Sequence, residues 1–279
     1  MLRPMLARHY EDGPSCQFHP GLLAQPKLNG IRCLVEQRNM QTRDGCFWKP
    51  HRMSALRDQL ALLPPNVVFD GELYLHGLPL SEINSRTAVH RIEDHPEHAR
   101  IEYHIFDVMS RAPMLQRVRY LSKLQKSLNA PLLKFVPFYV LRSRADADAL
   151  HLHWRRSGYE GSIYRKPFDP YPTPTLCRRA DLRVASLLKR KDWFDIELPI
   201  VGMRSGLGKH SNTLSCFVLR LPDNRTFEVS SGPSDSERAL YHALGHRLLG
   251  HMCRIEYREL TVDGIPFHTR IECVDLPPH

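Results

Sequence analysis

The sequence lacks the marks of several large protein classes. Its seven cysteines are scattered, odd in number and form no C-x-x-C pair, which argues against a disulfide framework or a structural zinc site. The sixteen histidines show no H-E-x-x-H or similar spacing. No apolar run approaches the ~20 residues that span a bilayer, and the start has no apolar signal stretch. We therefore expect an intracellular protein that is neither secreted nor inserted in a membrane.

Basic charge, by contrast, is in excess. Lys and Arg number 39 against 30 Asp and Glu, and the resulting net charge of +9 favours a polyanionic partner. Apolar residues make up 42% and charged residues 25% of the chain, which are ordinary values for a soluble globular protein and argue against disorder and fibrous folds. The 279 residues are about the length of two compact domains.

Hydrophobic periodicity predicts a mixed first part and a strand-rich second part. The predicted strands of the first part are 30–35 with its return partner 40–43, then 67–75, 101–106, 162–165 and 186–191, and its predicted helices are 53–63, 118–128 and 146–156. The predicted strands of the second part are 200–203, 214–219, 226–229 and 253–258. One helix interrupts them, running from a capping box of Ser234 and Glu237 to Gly250. We therefore predict two domains, 1–193 and 194–279, the second a small OB-like barrel.

Two segments place charge where a turn or a buried strand is expected. Lys27 follows Pro26 and precedes a turn glycine just before a predicted strand. Its amine either faces a cleft at a sheet edge or belongs to an ordinary surface turn. Asp70 and Glu72 flank Gly71 inside an apolar strand, where acids are costly to bury unless they are paired or bind metal. Pairing with a structural arginine is the alternative to a functional role.

Two later segments carry charge in the same way. Glu160 enters a predicted strand through Gly161. Lys189 and Lys191 alternate along another predicted strand, so that both face one side. Two inward cations need an anion between them, for which phosphate is the obvious candidate, and a solvated basic edge strand is the alternative.

The order and spacing of these segments resemble the covalent nucleotidyltransferases and, within them, the small viral type of ATP-dependent DNA ligase. The stretch Lys27-Leu28-Asn29-Gly30-Ile31-Arg32 resembles the nucleotidyl-lysine motif K-x-D-G-x-R. Segments similar to the later motifs are Thr42–Gly45, Phe69–Leu73, Tyr103–Val108, Glu160–Arg165 and Leu187–Lys191, and Phe227–Asp235 resembles a strand and turn of the ligase OB domain. The likeness extends from about Leu22 to Ile271.

This resemblance implies an α+β fold, with an adenylation domain of antiparallel sheets and flanking helices before a C-terminal OB-fold barrel. It implies that Lys27 attacks the α-phosphorus of ATP, releases pyrophosphate and holds AMP as a phosphoramidate, with Mg²⁺ or Mn²⁺ as the metal. AMP then passes to the 5′-phosphate of nicked double-stranded DNA, and the 3′-hydroxyl expels it. The amine must be neutral to attack, and bound Mg²⁺, Lys189 and Lys191 are expected to disfavour its charged form. We expect a monomer.

The resemblance also implies which residues meet the nucleoside. Gln25 reads the adenine edge, and Phe106 stacks on adenine. Arg32 and Arg43 hold ribose or phosphate, and Arg43 also meets the 5′-phosphate of the nick. Glu72 binds a ribose hydroxyl or a metal-bound water.

For the phosphates and the metal, the resemblance implies a second set of residues. Glu160 helps to bind the metal, together with Glu72. Lys189 and Lys191 neutralise the phosphates during transfer, as positioned charge does in phosphoryl chemistry. Arg179 matches a phosphate-contacting arginine.

Three features depart from the family pattern. Asn29 stands where the family has Asp, so a charge is missing beside the reactive lysine. The family's closing motif, an arginine followed by Asp and Lys, has no clear counterpart, and Arg270 is a loose candidate. The barrel has no long insertion of the kind that encircles DNA, which leaves open how the duplex is clamped.

Four rival functions are weighed against ligation of DNA. A GTP-dependent capping-type guanylyltransferase shares the lysine and the two-domain plan, and labelled ATP against GTP separates the two. Nicked RNA against nicked DNA separates an RNA ligase. A NAD-dependent ligase is disfavoured because its extra N-terminal domain and four-cysteine zinc site are missing. A nucleic-acid-binding relative without chemistry is disfavoured because the charged residues of the motifs are intact.

Overall fold

The computed structural model describes residues 2–10, 18–172, 183–206, 211–261 and 263–277. Arg179, the predicted phosphate contact, lies outside these residues. The chain divides into two units, Met1–Arg190 and Lys191–His279, and the boundary predicted after residue 193 lies close to this division. The described helices include none that is long and apolar enough to cross a membrane.

The first unit combines strands and helices, as the α+β prediction requires. Its strands are β1 Leu6–His9, β2 Leu23–Lys27, β3 Ile31–Glu36, β4 Asn39–Thr42, β5 Phe69–Tyr74, β6 Glu102–Val108, β7 Leu133–Phe135, β8 Tyr139–Val140, β9 Gly161–Arg165 and β10 Arg183–Arg190. Its helices are α1 Ser54–Leu60, α2 Leu80–Thr87, α3 Met114–Ser127 and α4 Arg144–Arg156. Ser143 caps α4, its hydroxyl accepting the Asp146 amide hydrogen at 3.1 Å.

Two five-stranded sheets organise these elements. The strand orders are β1-β10-β9-β2-β8 and β4-β3-β5-β6-β7, with most pairs antiparallel. The first sheet packs on Trp154 and Ala147 of α4. The second sheet buries Leu73 and Ile105 in the largest apolar cluster of the unit, which also contains Leu56 of α1. The strands that carry the motif residues are therefore held between sheet neighbours and a packed core.

The second unit is strand-rich, as predicted. Its strands are β11 Phe194–Ser205, β12 Leu214–Arg220, β13 Thr226–Val229, β14 Met252–Tyr257, β15 Glu259–Leu260, β16 Pro266–Phe267 and β17 Arg270–Val274, and its helix is α5 Asp235–Leu244. The sheet order is β13-β12-β11-β14-β17, beside a β15-β16 hairpin. The predicted capping box is confirmed, since the Ser234 hydroxyl accepts from the Glu237 amide and the Glu237 carboxylate accepts from the Ser234 amide. The predicted helix to Gly250 is too long, because a 3₁₀ turn at Gly245–Leu248 follows α5.

Several element predictions are wrong in detail. Lys27 is the last residue of β2 and does not lie in a turn before a strand. β1, β2 and α2 were not predicted. The strand predicted at 186–191 is β10, which ends at Arg190, so strand alternation does not extend from Lys189 to Lys191.

Candidate active site

The pairing of β2 with β9 brings Lys27 and Glu160 together. Lys27 lies opposite Gly161 in this antiparallel pair, and the Glu160 amide donates to the Lys27 carbonyl at 3.0 Å. The Lys27 Nζ donates to the Glu160 carboxylate and, at 3.2 Å, to the Leu28 carbonyl. Both side chains are largely buried, with 21% and 12% of their surfaces exposed. The amine thus contacts a carboxylate at the start of the neighbouring strand, and this contact stabilises its ammonium form.

One face of the first sheet carries a row of predicted residues. Gln25 of β2 lies opposite Ile163 of β9, which lies opposite Lys189 of β10. Residues directly opposite each other share a face of a sheet, and so do residues two apart on a strand. Gln25, Lys27 and Lys189 therefore share one face, while Lys191 lies beyond the end of β10 and belongs to the second unit.

A cavity of about 110 Å³ lies at this face. The predicted site residues that line it are Gln25, Lys27, Arg32, Glu72 and Phe106. The other lining residues are Ala7, Pro26, Leu28, Ile163, Arg165 and Leu187. Side chains from both sheets of the first unit thus converge on one space.

Glu72 reaches the cavity through a close approach of β5 to the β2–β3 turn. Its Oε1 accepts from the Gly30 amide at 2.6 Å. A Cβ on Gly30 would collide with the Leu73 carbonyl oxygen and lie 3.0 Å from the Glu72 Cγ, so only glycine fits at this position. Burial raises the pKa of Glu72, although Lys27, the Gly30 amide and Arg32 act in the opposite direction. Asn29 lies half-buried in the same turn.

Arg32 is bound by Asp70, which qualifies the role predicted for this arginine. Its Nε and Nη2 each donate to a different oxygen of the fully buried Asp70, both at 2.6 Å. The Tyr171 hydroxyl also donates to Asp70 at 2.6 Å. Burial lowers the pKa of Arg32, but the adjacent Asp70 carboxylate outweighs it and raises that pKa above its ordinary value. Of the two acids in β5, Asp70 therefore pairs with a structural arginine, and Glu72 lines the cavity.

Phe106 lines the cavity, and its ring contacts two guanidinium groups. The guanidinium carbons of Arg32 and Arg165 lie 4.8 Å and 5.5 Å from the centre of its ring. Both distances are within the range of a cation–π contact. The Phe106 ring is therefore a fixed apolar wall of the cavity, with 9% of the residue exposed.

Arg165 and Asp107 are site residues to which the sequence assigned no role. Arg165 is buried and donates through Nε to Gln25 Oε1 at 2.8 Å and through Nη1 to Asp107 Oδ2 at 2.9 Å. Asp107 also accepts from Arg117 Nε at 2.7 Å. The sequence did contain one indication that Arg165 belongs to the site. It ends the Glu160–Arg165 segment and lies two residues after Ile163, on the same face of β9.

Arg43, a predicted phosphate contact, lies at the surface of the first unit. Arg43 lies in the exposed turn after β4, has 59% of its side chain exposed and contacts Asp44 at 3.5 Å. It is not among the residues that line the cavity. Within the described ranges, no group of three or more His, Cys, Asp and Glu side chains is arranged to hold a metal ion.

Comparison with known proteins gives a consistent result for both units. A family model described as a DNA ligase OB-like domain matches residues 205–274. The DNA ligase of African swine fever virus (strain Badajoz 1971) is 24% identical to this chain over 302 residues, covering 97% of the chain and 68% of the viral protein. The ligase of a warthog isolate of the same virus is also 24% identical, with the same coverage.

Solved structures resemble the chain along its length. A Lig E DNA ligase, studied for DNA binding with a minimal scaffold, gives a TM-score of 0.76 at 20% identity and covers 98% of this chain and 99% of its own. The Chlorella virus DNA ligase-adenylate gives a TM-score of 0.53 at 23% identity, covering 100% and 99%. At these identities the structural likeness establishes the fold. The predicted fold class is confirmed: nucleotidyltransferase-like sheets precede an OB-like domain.

Proposed function

We propose that this chain, a DNA ligase with the minimal two-domain architecture, uses ATP to join 3′-hydroxyl and 5′-phosphate ends at nicks in duplex DNA. The observation that carries the proposal is the contact between Lys27 Nζ and the Glu160 carboxylate at the cavity lined by Gln25, Glu72 and Phe106. Covalent nucleotidyl transfer uses a nucleophilic amine next to a proton acceptor, and here a lysine contacts a carboxylate beside a cavity that can take a nucleobase.

Lys27 is the nucleophile of the first step. Its Nζ loses a proton and attacks the α-phosphorus of ATP, so that an N–P bond forms while the bond to pyrophosphate breaks. The Glu160 carboxylate contacts Nζ and is the group in place to accept that proton. In the second step a 5′-phosphate oxygen attacks the same phosphorus and the N–P bond breaks. In the third step the 3′-hydroxyl attacks the 5′-phosphate, and AMP leaves.

Gln25, Phe106 and Arg32 bind the nucleoside in this proposal. Within the described residues the buried Gln25 Nε2 has no hydrogen-bond partner, and Gln25 lines the cavity. A buried donor without a partner costs free energy, which a bound acceptor would recover. The flat face of Phe106 suits an adenine ring. Arg32, fixed by Asp70, borders the same space and would meet the ribose or a phosphate.

The carboxylates of the site fit the magnesium ion that such transfer needs. Mg²⁺ in phosphoryl-transfer sites is held by one or two carboxylates together with substrate phosphates, with no dedicated cage of protein ligands. Glu160 and Glu72, both within the electrostatic reach of Lys27, would hold it or its waters. The ion would supply charge neutralisation at the triphosphate.

Basic side chains bind the phosphates of ATP and DNA in this proposal. Lys189, on the cavity face of β10, and Lys191 neutralise the triphosphate during transfer. The exposed Arg43 meets the 5′-phosphate of the nick, and Arg179 contacts phosphate. The net charge of +9 supports a grip on the DNA backbone that is largely independent of sequence. We propose that the protein acts as a monomer.

The intact mass of the protein after incubation with ATP and Mg²⁺ tests the first step. We expect a gain of one AMP in the parent protein and in a control variant, Lys134→Ala, whose lysine lies on β7. The Lys27→Ala variant should show no gain, and neither GTP nor NAD should replace ATP. A parent protein that takes up GMP instead would make the capping-type reaction the better proposal.

Sealing assays test the remaining steps. We expect the parent protein to seal nicked duplex DNA faster than a nicked RNA of the same sequence, and Lys27→Ala to seal neither. If Lys27→Ala sealed nicks as fast as the parent protein, the proposed mechanism would be wrong. Faster sealing of RNA would favour an RNA ligase.

A further inference from the structure

A buried charged cluster lies directly behind the nucleotide cavity. Asp107 is fully buried and accepts from Arg117 Nε at 2.7 Å, Arg117 Nη2 at 3.2 Å and Arg165 Nη1 at 2.9 Å. The exposed fractions of Arg117 and Arg165 are both 3%. One carboxylate thus holds two arginines, and neither guanidinium can move without leaving a buried charge unpaired.

Of the three residues Asp107, Arg117 and Arg165, Arg165 is the one that lines the cavity. Its guanidinium is a planar fork, and while Nη1 is held by Asp107 its Nε donates to Gln25 Oε1 at 2.8 Å. Arginine carries only donors, so the side-chain atom of Gln25 that faces it must be the oxygen. The Gln25 nitrogen is then left buried without a partner among the described residues, and Gln25 is one of the residues that line the cavity.

We propose that Arg165 is a positioning residue for base recognition, because it holds the Gln25 amide in the one orientation that presents a hydrogen-bond donor to the nucleotide. This inference rests on the proposed binding of ATP in the same cavity. The matching group on a purine is a ring nitrogen, which is an acceptor, whereas an exocyclic amine is a donor. Arg165 thus acts through Gln25 and need not touch the substrate.

Rotating the amide by half a turn shows what Arg165 prevents. The Gln25 nitrogen would then face the Arg165 Nε–H, and two donors would oppose each other in a buried site. The cavity would meet an oxygen, which favours an exocyclic amine. Without Arg165, both orientations are open to the amide, and recognition of one ring nitrogen weakens.

Binding of ATP and its deaza analogues tests this directly. Dissociation constants are measured by calorimetry without divalent metal, so that no adenylyl transfer occurs, for ATP and for 1-deaza-, 3-deaza- and 7-deaza-ATP. In the parent protein we expect one analogue to bind about five- to tenfold more weakly than ATP, the loss of one hydrogen bond. Arg165→Lys should bring that ratio close to one, because lysine has a single nitrogen to share between Asp107 and Gln25.

Arg117→Lys is the matched control. Arg117 belongs to the same buried cluster but donates to Asp107, Ala112 and Asp169, away from Gln25, so its variant should lower the midpoint of thermal unfolding while keeping the analogue ratio of the parent protein. Gln25→Leu removes the donor itself, and adding Arg165→Lys to it should change the ratio no further.

Two results would overturn the inference. One is an Arg165→Lys protein that keeps the parent ratio, and the other is a parent protein that binds all three analogues as tightly as ATP. Failure of the proposed function has a different signature, since the parent protein would then take up no AMP from ATP and Mg²⁺ whatever the analogue ratios.

Discussion

A methyl group at position 30 tests whether the packing of β5 against the β2–β3 turn holds the Glu72 carboxylate at the cavity. In Gly30→Ala the new Cβ would collide with the Leu73 carbonyl oxygen and come within 3.0 Å of the Glu72 Cγ. The Leu73 carbonyl belongs to the backbone of a strand that is paired on both sides, so it cannot swing aside as a flexible side chain can. Either β5 or the turn must shift, and the Gly30–Glu72 hydrogen bond is lost.

Two terms set the magnitude of this change. Forcing a methyl group into a packed site costs about 1–3 kcal/mol. Losing a hydrogen bond to a charged group costs about 1.5–3 kcal/mol, and partial exposure of the site places the sum toward the lower end, at roughly 3–4 kcal/mol. For a unit of this size the midpoint of thermal unfolding falls by roughly 2–4 °C per kcal/mol, so we expect a fall of about 10 °C.

Calorimetry of the purified variant measures the midpoint, and intact mass at a temperature well below it measures lysyl-AMP formation, which we expect to fall at least tenfold as Glu72 is displaced. Gly202→Ala is the control. Its Cβ would meet only the Val218 side chain, at 3.3 Å, and the unfolding midpoint and AMP uptake should stay near those of the parent protein. A Gly30→Ala protein that unfolds and adenylylates like the parent would refute the described approach of β5 to the turn.

Three further substitutions address single charges of the site. Glu160→Gln should slow AMP uptake by Lys27 about a hundredfold, because the proposed acceptor of the amine proton is gone, and an unchanged rate in a mass-spectrometric time course would contradict this. Glu72→Gln should unfold at a higher temperature than the parent protein near pH 8, because burial raises the pKa of Glu72 and the ionised form therefore destabilises the fold above its ordinary pKa. That difference should shrink as the pH falls through the raised pKa, and a difference that grows on acidification would contradict the assignment. Asp70→Asn leaves the Arg32 guanidinium without its counter-ion and should lower the free energy of unfolding by about 3–5 kcal/mol in a urea titration, whereas a loss below 1 kcal/mol would contradict the buried pair.

The predicted elements follow the strength of their local patterns. The capping box of α5 and the β3–β4 hairpin are local signals, and both were found. β2 was missed because it is buried along almost its whole length and contains Pro26, which removes the alternation and suggests a loop. The strand tolerates this proline because β8 pairs only with Leu23 and Ala24, so one side of β2 has no ladder at Pro26.

Helix α2 was missed for a different reason. Its buried residues are Ile83, Arg86 and Thr87, so the inward face shows no apolar stripe. Arg86 forms ion pairs with Glu82 and Glu97, so a charged residue occupies a position on the inward face where an apolar residue is usual. No hydrophobic periodicity could predict such a face.

Sequence motifs could name residues that line the cavity, but they could not predict contacts between segments far apart in the chain. The resemblance named five residues that line one cavity. It also assigned Arg32 to the nucleotide without foreseeing that Asp70 occupies two of its donors. The hydrogen bond between Gln25 and Arg165 joins residues 140 positions apart, and no local sequence pattern predicts a contact of that kind.

The same limit explains the charge around Lys27. The family resemblance implies cations near the amine, namely bound Mg²⁺, Lys189 and Lys191. The register of β2 with β9 in addition places the Glu160 carboxylate in contact with Nζ. A cation beside an amine would make its neutral form easier to reach, whereas a carboxylate holds the proton in place. The Glu160 carboxylate cannot keep its ion pair and also take the proton or a metal with the same oxygen. In the proposed mechanism, the first chemical step therefore begins by giving up the ion pair between Lys27 and Glu160.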